Sequence, residues 1–422
     1  MHIGLLCSTF TDILSYAFYI LIALVVLLVM ITIHEFGHFI VGKKLGFKIN
    51  EFAIGFGKIL LKHTTKDGIL VTLRLIPLGG YCAFEGEDED VQTQGSFNSM
   101  APWKRLLVLF SGAFFNFISA VIMSFVLLVS IGYADVVQVN SIKESASASN
   151  VSQMQVGDVI YKVDGVETNF LYDNYFQSLM ATHLPGEDVT LTVKRNGEFV
   201  DIVIQNGSEI DKTEISSSVS LFSLDNENFI TVTIIGEQVV FKDAKLNELE
   251  AKLTNKGERE YLTIVYDGLS YIYDVENGKL YTNFLGISVG NYVYSFGEAL
   301  VKCVPFTCEW AWKVLTVLWM LITGQMGIDG LGGPITTISQ IATHTQTNWL
   351  NLLILFPLIS VNLAVFNWLP FPALDGARMV FVVIEWIRGK PINRNVEGYI
   401  HTAGLIILFA FVILVDIIHL LF

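Results

Sequence analysis

Apolar residues gather in four long blocks, Ile13–Val41, Leu106–Ile131, Trp349–Leu369 and Ile400–Phe422. Each reaches the roughly 20 residues that a helix needs to cross hydrocarbon. A fifth stretch, Ala299–Thr323, is broken by Lys302, Glu309 and Lys313 and carries Trp310, Trp312 and Trp319, a pattern that predicts an amphipathic segment lying at the interface. Between the second and third blocks the period changes. Residues 132–206 alternate short β-type runs with the turn dipeptides Asp164-Gly165 and Asn196-Gly197, which predicts a small strand-rich domain. Residues 207–284 follow with ITVTIIGEQVVF, a helical-looking LNELEAKL and YLTIVYDGLSYIYDV, and read as a second α+β unit or a large insertion.

The resulting division is a first crossing (1–41), a loop with paired strands (42–105), a second crossing (106–131), the β-rich domain (132–206) and the second unit (207–284). An interfacial segment and loop (285–348), a third crossing with its exit turn (349–376), and a loop with a fourth crossing (377–422) complete it. The predicted class is a polytopic α-helical membrane protein with four transmembrane helices and an inserted β-rich α+β region.

Composition agrees with this class. The 422 residues are 52% apolar and only 16% charged, with a mean hydropathy of +0.55, whereas soluble domains carry about a quarter charged residues. The formal charge is -14. Residues 132–302 hold 25 acidic and 12 basic side chains, so almost all of the excess lies on the polar middle. Such a balance argues against a nucleic-acid partner, which needs a basic footprint, and suits a domain dissolved outside the bilayer.

Lys43, Lys44, Lys48, Lys58, Lys62, Lys66, Arg74, Lys104 and Arg105 fall in the 42–105 loop, and four more basic residues in the 370–399 loop. Both loops are therefore expected on the cytoplasmic side, with the termini and the acidic domain opposite. The first block has no basic flank and no cleavage site of small residues, so it reads as retained rather than as a signal peptide; GLLC at 4–7 does not read as a lipidation site. Cys7, Cys82, Cys303 and Cys308 lack paired C-x-x-C spacing and read as incidental, with a Cys303–Cys308 pairing left open.

The first block ends in ITIHEFGHFI, and ionisable groups at membrane depth are expensive enough to mark function. On a helix His34 and His38 project from one face. With Glu35 between them they make the H-E-x-x-H arrangement, in which the histidines bind zinc and the glutamate is general base toward the attacking water. A catalytic zinc usually takes three protein ligands. The motif NWLPFPALDG at 367–376 supplies a candidate: Pro370 and Pro372 stop the third crossing and leave Asp375 on a turn at the same depth as the histidines.

These motifs, with IGFG at 54–57, LIPLGGY at 75–81 and GGPI at 332–335, resemble the site-2 protease family of intramembrane zinc metalloproteases, in the bacterial branch that includes the regulator of sigma-E protease. The resemblance implies Zn2+ held by His34, His38 and Asp375, Glu35 as catalytic base, and Asn367 positioning the substrate backbone. It also implies an extracytoplasmic PDZ-like domain, to whose strand-and-turn signature VGDVIYKVDG at 156–165 is similar. Just upstream, SASASNVSQMQ departs from the usual small-residue and glycine step. Expected partners are the lipid bilayer and single-pass membrane substrates, an anti-sigma factor or leftover signal peptides, trimmed first by another protease.

Cleavage inside lipid requires the substrate helix to unwind onto new hydrogen-bond partners. ILVTLRL (69–75) and FAIGFGKILL (52–61) are expected to form a sheet whose free edge accepts the extended substrate, with Gly55, Gly57 and Arg74 as contacts. Asn116 and Asn362 read as bridges between helices, Asp416 and His419 as solvated near the outer end of the last crossing, and His63 as exposed. His401 lies on the same crossing. A non-catalytic PDZ-bearing scaffold and a metal transporter are the competing readings; neither needs a glutamate fixed beside the first histidine.

Overall fold

The computed structural model describes residues 2–87, 93–142, 152–168, 175–180, 182–183, 187–206, 218–222, 229–235, 238–240, 250–256, 259–266, 269–274, 279–282, 287–327 and 332–421. These fall into two compact units, one of residues 1–129 and 295–422 and one of residues 130–294.

In the first unit, α1 (His2–Leu45) leads into β1 (Ile49–Thr64) and β2 (Leu70–Phe84), followed by α2 (Pro102–Ser130). Four helices are long and apolar enough to cross a membrane, within Leu14–Leu45, Pro102–Ser130, Trp349–Trp368 and Asn395–Ile418, matching the four predicted blocks to within a few residues. The protein is a multi-pass membrane protein. On α1 the residues Ala23, Met30, His34, Gly37 and His38 are buried, while Phe18, Leu21, Val25 and Val29 are exposed, so an apolar helix still has an inner face. The facing side of α2 repeats small or short residues every four positions, Gly112, Asn116, Ala120 and Ser124, all buried. Small residues let two backbones approach closely. A Cβ at Gly37 would lie 2.5 Å from the Ser111 carbonyl oxygen, so the H-E-x-x-H helix touches α2 backbone to backbone.

The β1–β2 pair is more elaborate than a hairpin. Glu51–Ile54 stands opposite Gly80–Ala83 on one side and Leu70–Leu73 on the other, and Leu61–Thr64 pairs with Leu70–Leu73 again. The two strands thus lie as four ladder segments in the order 59–64, 70–74, 49–54, 80–84. Gly55 (φ +85°) and Gly57 (φ +81°) sit where β1 changes partner. At Gly55 a Cβ would meet the Ile76 carbonyl oxygen at 2.8 Å, so the bend requires glycine. Glu51 locks the segments together, accepting from Thr72 Oγ1 (2.6 Å), Arg74 Nη2 (2.7 Å) and Tyr81 Oη (2.8 Å). Burial raises the Glu51 carboxyl, but these three donors outweigh it and hold the group below the usual carboxylate range.

The second unit contains β3 (Tyr133–Ile142), β4 (Val159–Val163), β5 (Val166–Glu167), α3 (Phe176–Met180), β6 (Asp188–Arg195) and β7 (Glu198–Gln205). It continues with β8 (Ser218–Phe222), β9 (Phe229–Ile235), β10 (Gln238–Val240), β11 (Glu250–Lys256), β12 (Arg259–Tyr266), β13 (Leu269–Asp274), β14 (Lys279–Thr282) and β15 (Ile287–Tyr292). The first sheet runs β15-β3-β4-β6-β7, with β5 beside β4, over a core that includes Val139, Ile160, Leu191, Val193 and Ile204. Both predicted turn dipeptides close two-residue hairpins, with Asp164 and Asn196 at positive φ ahead of their glycines.

Two expectations are corrected here. Glu250–Leu253 of LNELEAKL is strand, because β11 pairs residue by residue with β12, and that ladder overrides the segment's helical propensity; residues 246–249 lie outside the described residues. β15 belongs to the first sheet, pairing with β3, although the sequence division placed it in the following segment. Residues 207–284 therefore interrupt one sheet. Their described strands form a three-stranded sheet (β8–β10) and a four-stranded sheet (β11–β14).

The chain returns to the first unit with α4 (Phe296–Ile322), α5 (Pro334–Thr347), α6 (Leu352–Trp368), α7 (Asp375–Arg388) and α8 (Arg394–Leu421). The fifth apolar stretch is the single helix α4, which buries Ala299, Cys303, Phe306 and Thr307 at helical spacing. Asp416 is buried rather than solvated. Its carboxylate accepts from Ile335 N, Thr336 N and Thr336 Oγ1 at 2.9–3.2 Å and so caps α5, the helix opened by GGPI. Cys303 and Cys308 are free thiols.

Candidate active site

His34 and His38 are both buried at 7% exposure on the inner face of α1. α6 ends at Trp368, which stacks on Phe110 of α2 at 5.1 Å between ring centroids. The chain then turns through Pro370 and Pro372 and re-enters helix at Asp375, the first residue of α7. A Cβ at Gly376 would lie 2.2 Å from the Leu369 carbonyl oxygen, so the glycine of Leu-Asp-Gly lets the turn close. Ala373 holds φ +87° inside this turn, and its N–H donates to His401 Nδ1 at 3.0 Å. His401, read from sequence only as a polar residue on the last crossing, thus braces the turn that carries Asp375.

The turn brings Asp375 Oδ2 to 3.0 Å from His34 Nε2 and 3.2 Å from His38 Nε2, and the two nitrogens are 3.2 Å apart. A tetrahedral ion about 2.0–2.1 Å from each of three such atoms separates them by roughly 3.3–3.4 Å, so the donor set fits zinc with a small outward adjustment. Among the described residues this is the one group of three or more potential ligand residues arranged for a metal. The space in front of it is kept by Gly112, where a Cβ would lie 2.3 Å from His38 Nε2 and 2.8 Å from His34 Nε2. His38 Nδ1 is 2.8 Å from the Val108 carbonyl oxygen, the outer contact expected of a metal-binding imidazole. Asn116, expected only to bridge helices, places its carboxamide 3.4 Å from His34 Nδ1.

Glu35 and His38 border a cavity of about 340 Å³ that is also lined by Tyr81–Phe84 of β2, Asp375 and Arg378. The Cys82 main-chain N–H faces the Glu35 carboxylate. In the antiparallel ladder Glu51↔Ala83, Phe52↔Cys82, Ala53↔Tyr81, Ile54↔Gly80, alternate residues turn their main-chain groups inward and outward. With Cys82 facing out, Gly80 does too. Among the described residues no strand pairs with that outer side. Burial, followed by the Glu35 and Glu87 carboxylates, pushes the Cys82 thiol above its ordinary range.

The remaining predicted contacts lie farther out. Gly55, Gly57 and Arg74 are absent from the cavity lining. Arg74 spends its guanidinium on Glu51 and on the Gly57 carbonyl oxygen (2.8 Å), holding the bent sheet. Asn367 is in the last turn of α6, where Nδ2 donates to Leu363 O at 2.9 Å. Arg105, counted in the sequence as a loop charge, is buried in a two-pronged ion pair with Glu385 that ties α7 to α2. Arg378, one turn after Asp375, pairs with Glu87 just beyond β2.

Known proteins resemble this chain over most of its length. The chain is 27% identical to the regulator of sigma-E protease RseP of Escherichia coli, over 91% of this chain and 94% of that one. It is 26% identical to the zinc metalloprotease RasP of Oceanobacillus iheyensis, over 92% and 95%, and 24% identical to the regulator of sigma E protease of Haemophilus influenzae, over 90% and 94%. The family model for peptidase family M50 matches residues 22–411. That range contains both histidines, the glutamate and the Leu-Asp-Gly turn, and the chain belongs to peptidase family M50 as an intramembrane zinc metalloprotease.

Proposed function

We propose that His34, His38 and Asp375 hold the zinc, that Glu35 is the general base, and that the outward edge of β2 receives the substrate as an added strand. What carries this reading is a single juxtaposition: three ligand atoms 3.0–3.2 Å apart, with His38 and Asp375 of that set lining, beside Glu35, the cavity that Tyr81–Phe84 of β2 also lines. Zinc held by these three residues would supply Lewis acidity, to polarise a carbonyl and to make water acidic enough to deprotonate at neutral pH.

The protein's own groups do the rest. Each main-chain group left unpaired in hydrocarbon costs several kcal/mol, so a substrate helix unwinds only where replacement partners wait. Gly80 and Cys82 offer such partners on the free edge, and glycine at 80 lets this segment lie close to its ladder partner, where a Cβ would be 2.7 Å from the Ala53 carbonyl oxygen. Glu35 accepts a proton from the attacking water and returns it to the departing nitrogen as the C–N bond breaks. Binding of a substrate carbonyl displaces Glu35 from the Cys82 N–H and frees the carboxylate for that task. Asn367 exchanges the Leu363 carbonyl for the substrate backbone. Gly55, Gly57 and Arg74 act one layer back, by shaping and clamping the sheet.

The site lies toward the cytoplasmic side, with both termini and the β-rich unit outside the cell; the basic loops support that orientation. The first sheet of that unit, with Asp158 of VGDVI held by Arg195, supports a PDZ-like domain. The acidic β-rich unit excludes substrates with large ectodomains. The substrates in this reading are single-pass membrane proteins, an anti-sigma factor or remnant signal peptides, in keeping with the sigma-E regulators among the relatives.

The test co-expresses tagged single-pass proteins, with and without their ectodomains, with the wild type or with Glu35→Gln. The variant should retain zinc and yield no product. Equal cleavage by both would remove Glu35 from the mechanism, and unchanged metal flux with no cleavage by either would favour a transporter.

A further inference from the structure

Asn116 lies on α2 with 0% exposure, two turns beyond Val108. Its Nδ2 stands 3.4 Å from His34 Nδ1, and its Oδ1 is buried without a hydrogen-bond partner. His34 meets Asp375 and His38 through Nε2. A neutral imidazole has one N–H, so a ring that offers the Nε2 lone pair to a cation keeps its proton on Nδ1. The NH2 of Asn116 then faces another donor. Carboxamide oxygen and nitrogen exchange places on a half-turn of the group, and their assignment follows from the network. The exchange puts Oδ1 against Nδ1–H and gives the orphaned oxygen its partner. His38 already shows this arrangement, with Nδ1 at the Val108 carbonyl and Nε2 toward the cluster.

We propose that Asn116 is the positioning residue of His34: its side-chain oxygen accepts the Nδ1 proton and fixes the tautomer and ring angle that turn Nε2 toward the zinc. α2 thereby supplies one acceptor per histidine, main chain for His38 and side chain for His34. The bridging of helices expected of this asparagine is carried instead by its main chain, since the Asn116 carbonyl oxygen accepts from Ser119 Oγ (2.8 Å) and from Ser360 Oγ of α6 (3.0 Å). Side-chain replacement leaves that bridge in place. The proposal rests on the reading of His34 as a ligand.

The test is zinc affinity of the purified full-length protein, measured by competition with a chelating dye. Outer partners of ligating histidines typically contribute about 10–100-fold in affinity, so Asn116→Leu should weaken zinc binding by that factor. Asn116→Asp keeps acceptors and has no donor; it should bind within about threefold of wild type or more tightly. Recovery of affinity in Asn116→Asp but not in Asn116→Leu is the readout that a merely structural role would not produce. Asn116→Asp binding as poorly as Asn116→Leu would show that the NH2 matters instead and overturn the proposal, as would wild-type affinity in Asn116→Leu. If Asn116→Leu does not fold, Asn116→Ala takes its place: weakened zinc binding supports the role of Asn116, and wild-type affinity overturns it. His34→Ala separates the two levels: wild-type affinity there defeats the ligand reading, while loss there with full affinity in Asn116→Leu defeats only the role of Asn116.

Discussion

Gly112→Ala adds one methyl group to the inner face of α2, and its consequence can be worked from distances. The new carbon would lie 2.3 Å from His38 Nε2 and 2.8 Å from His34 Nε2, where ordinary contact begins at 3.4 Å. Relieving the overlap moves the His38 nitrogen by about 1.1 Å and the His34 nitrogen by about 0.6 Å, against a tolerance of about 0.2 Å in metal–ligand distances. Both imidazoles leave bonding range together. Mispositioned outer-shell partners alone weaken metal sites by up to about 100-fold, so displacing two ligands should reduce zinc affinity by at least that much, about 2.8 kcal/mol. Alanine is the better helix former by about 1 kcal/mol, so a weaker α2 cannot explain the loss. Dye competition on purified protein reads the affinity, and cleavage of a tagged single-pass reporter should fall in parallel. Gly112→Ala with wild-type affinity and cleavage would refute the placement of the metal in front of α2.

Cys82→Pro removes the outward N–H on the edge of β2 while sparing the ladder groups of Tyr81 and Ala83; zinc content should persist and reporter cleavage should fall at least tenfold, and unchanged cleavage would exclude strand addition at this edge. Because Glu51 is held below its ordinary range in the folded state, the unfolded chain binds more protons on the acid side, and its contribution is complete above the ordinary carboxylate pKa and lost as pH falls through the folded one. Melting temperature followed from about pH 6 to about pH 3 should therefore decline less steeply in Glu51→Gln than in wild type, and an unchanged slope would contradict the clamp assigned to Glu51.

What the sequence disclosed, and what it withheld, follows from the range of each interaction. The spacing of His34 and His38 is local to one helix turn, and the prolines before Asp375 announce a break wherever they occur, so all three were legible. The four crossings were equally plain, since hydropathy needs no partner. The four-segment sheet was not. Its order depends on Gly55 and Gly57 folding β1 back so that Leu70–Leu73 gains two neighbours, and LGGYCAF, the stretch that forms the outer edge, has no alternation to announce a strand. Gly112 and Asn116 carried no signal beyond a small and a polar residue in a span, because their meaning lies in the distance to histidines on another helix. LNELEAKL misled because helix propensity is intrinsic while the β11–β12 ladder is not, and β15 was misplaced because its partner β3 lies some 145 residues earlier. His401 and Asp416 gained their roles only through α8 packing on the Leu-Asp-Gly turn and on α5.

X-ray absorption at the zinc edge of the purified protein addresses the metal centre most directly. The structure predicts a first shell of nitrogen and oxygen only, at about 2.0–2.1 Å, with the outer scattering of two imidazoles, reduced to disordered or absent zinc in Asp375→Ala. A sulfur scatterer at about 2.3 Å, which would bring Cys82 into the shell, or full and unaltered coordination in Asp375→Ala, would contradict it.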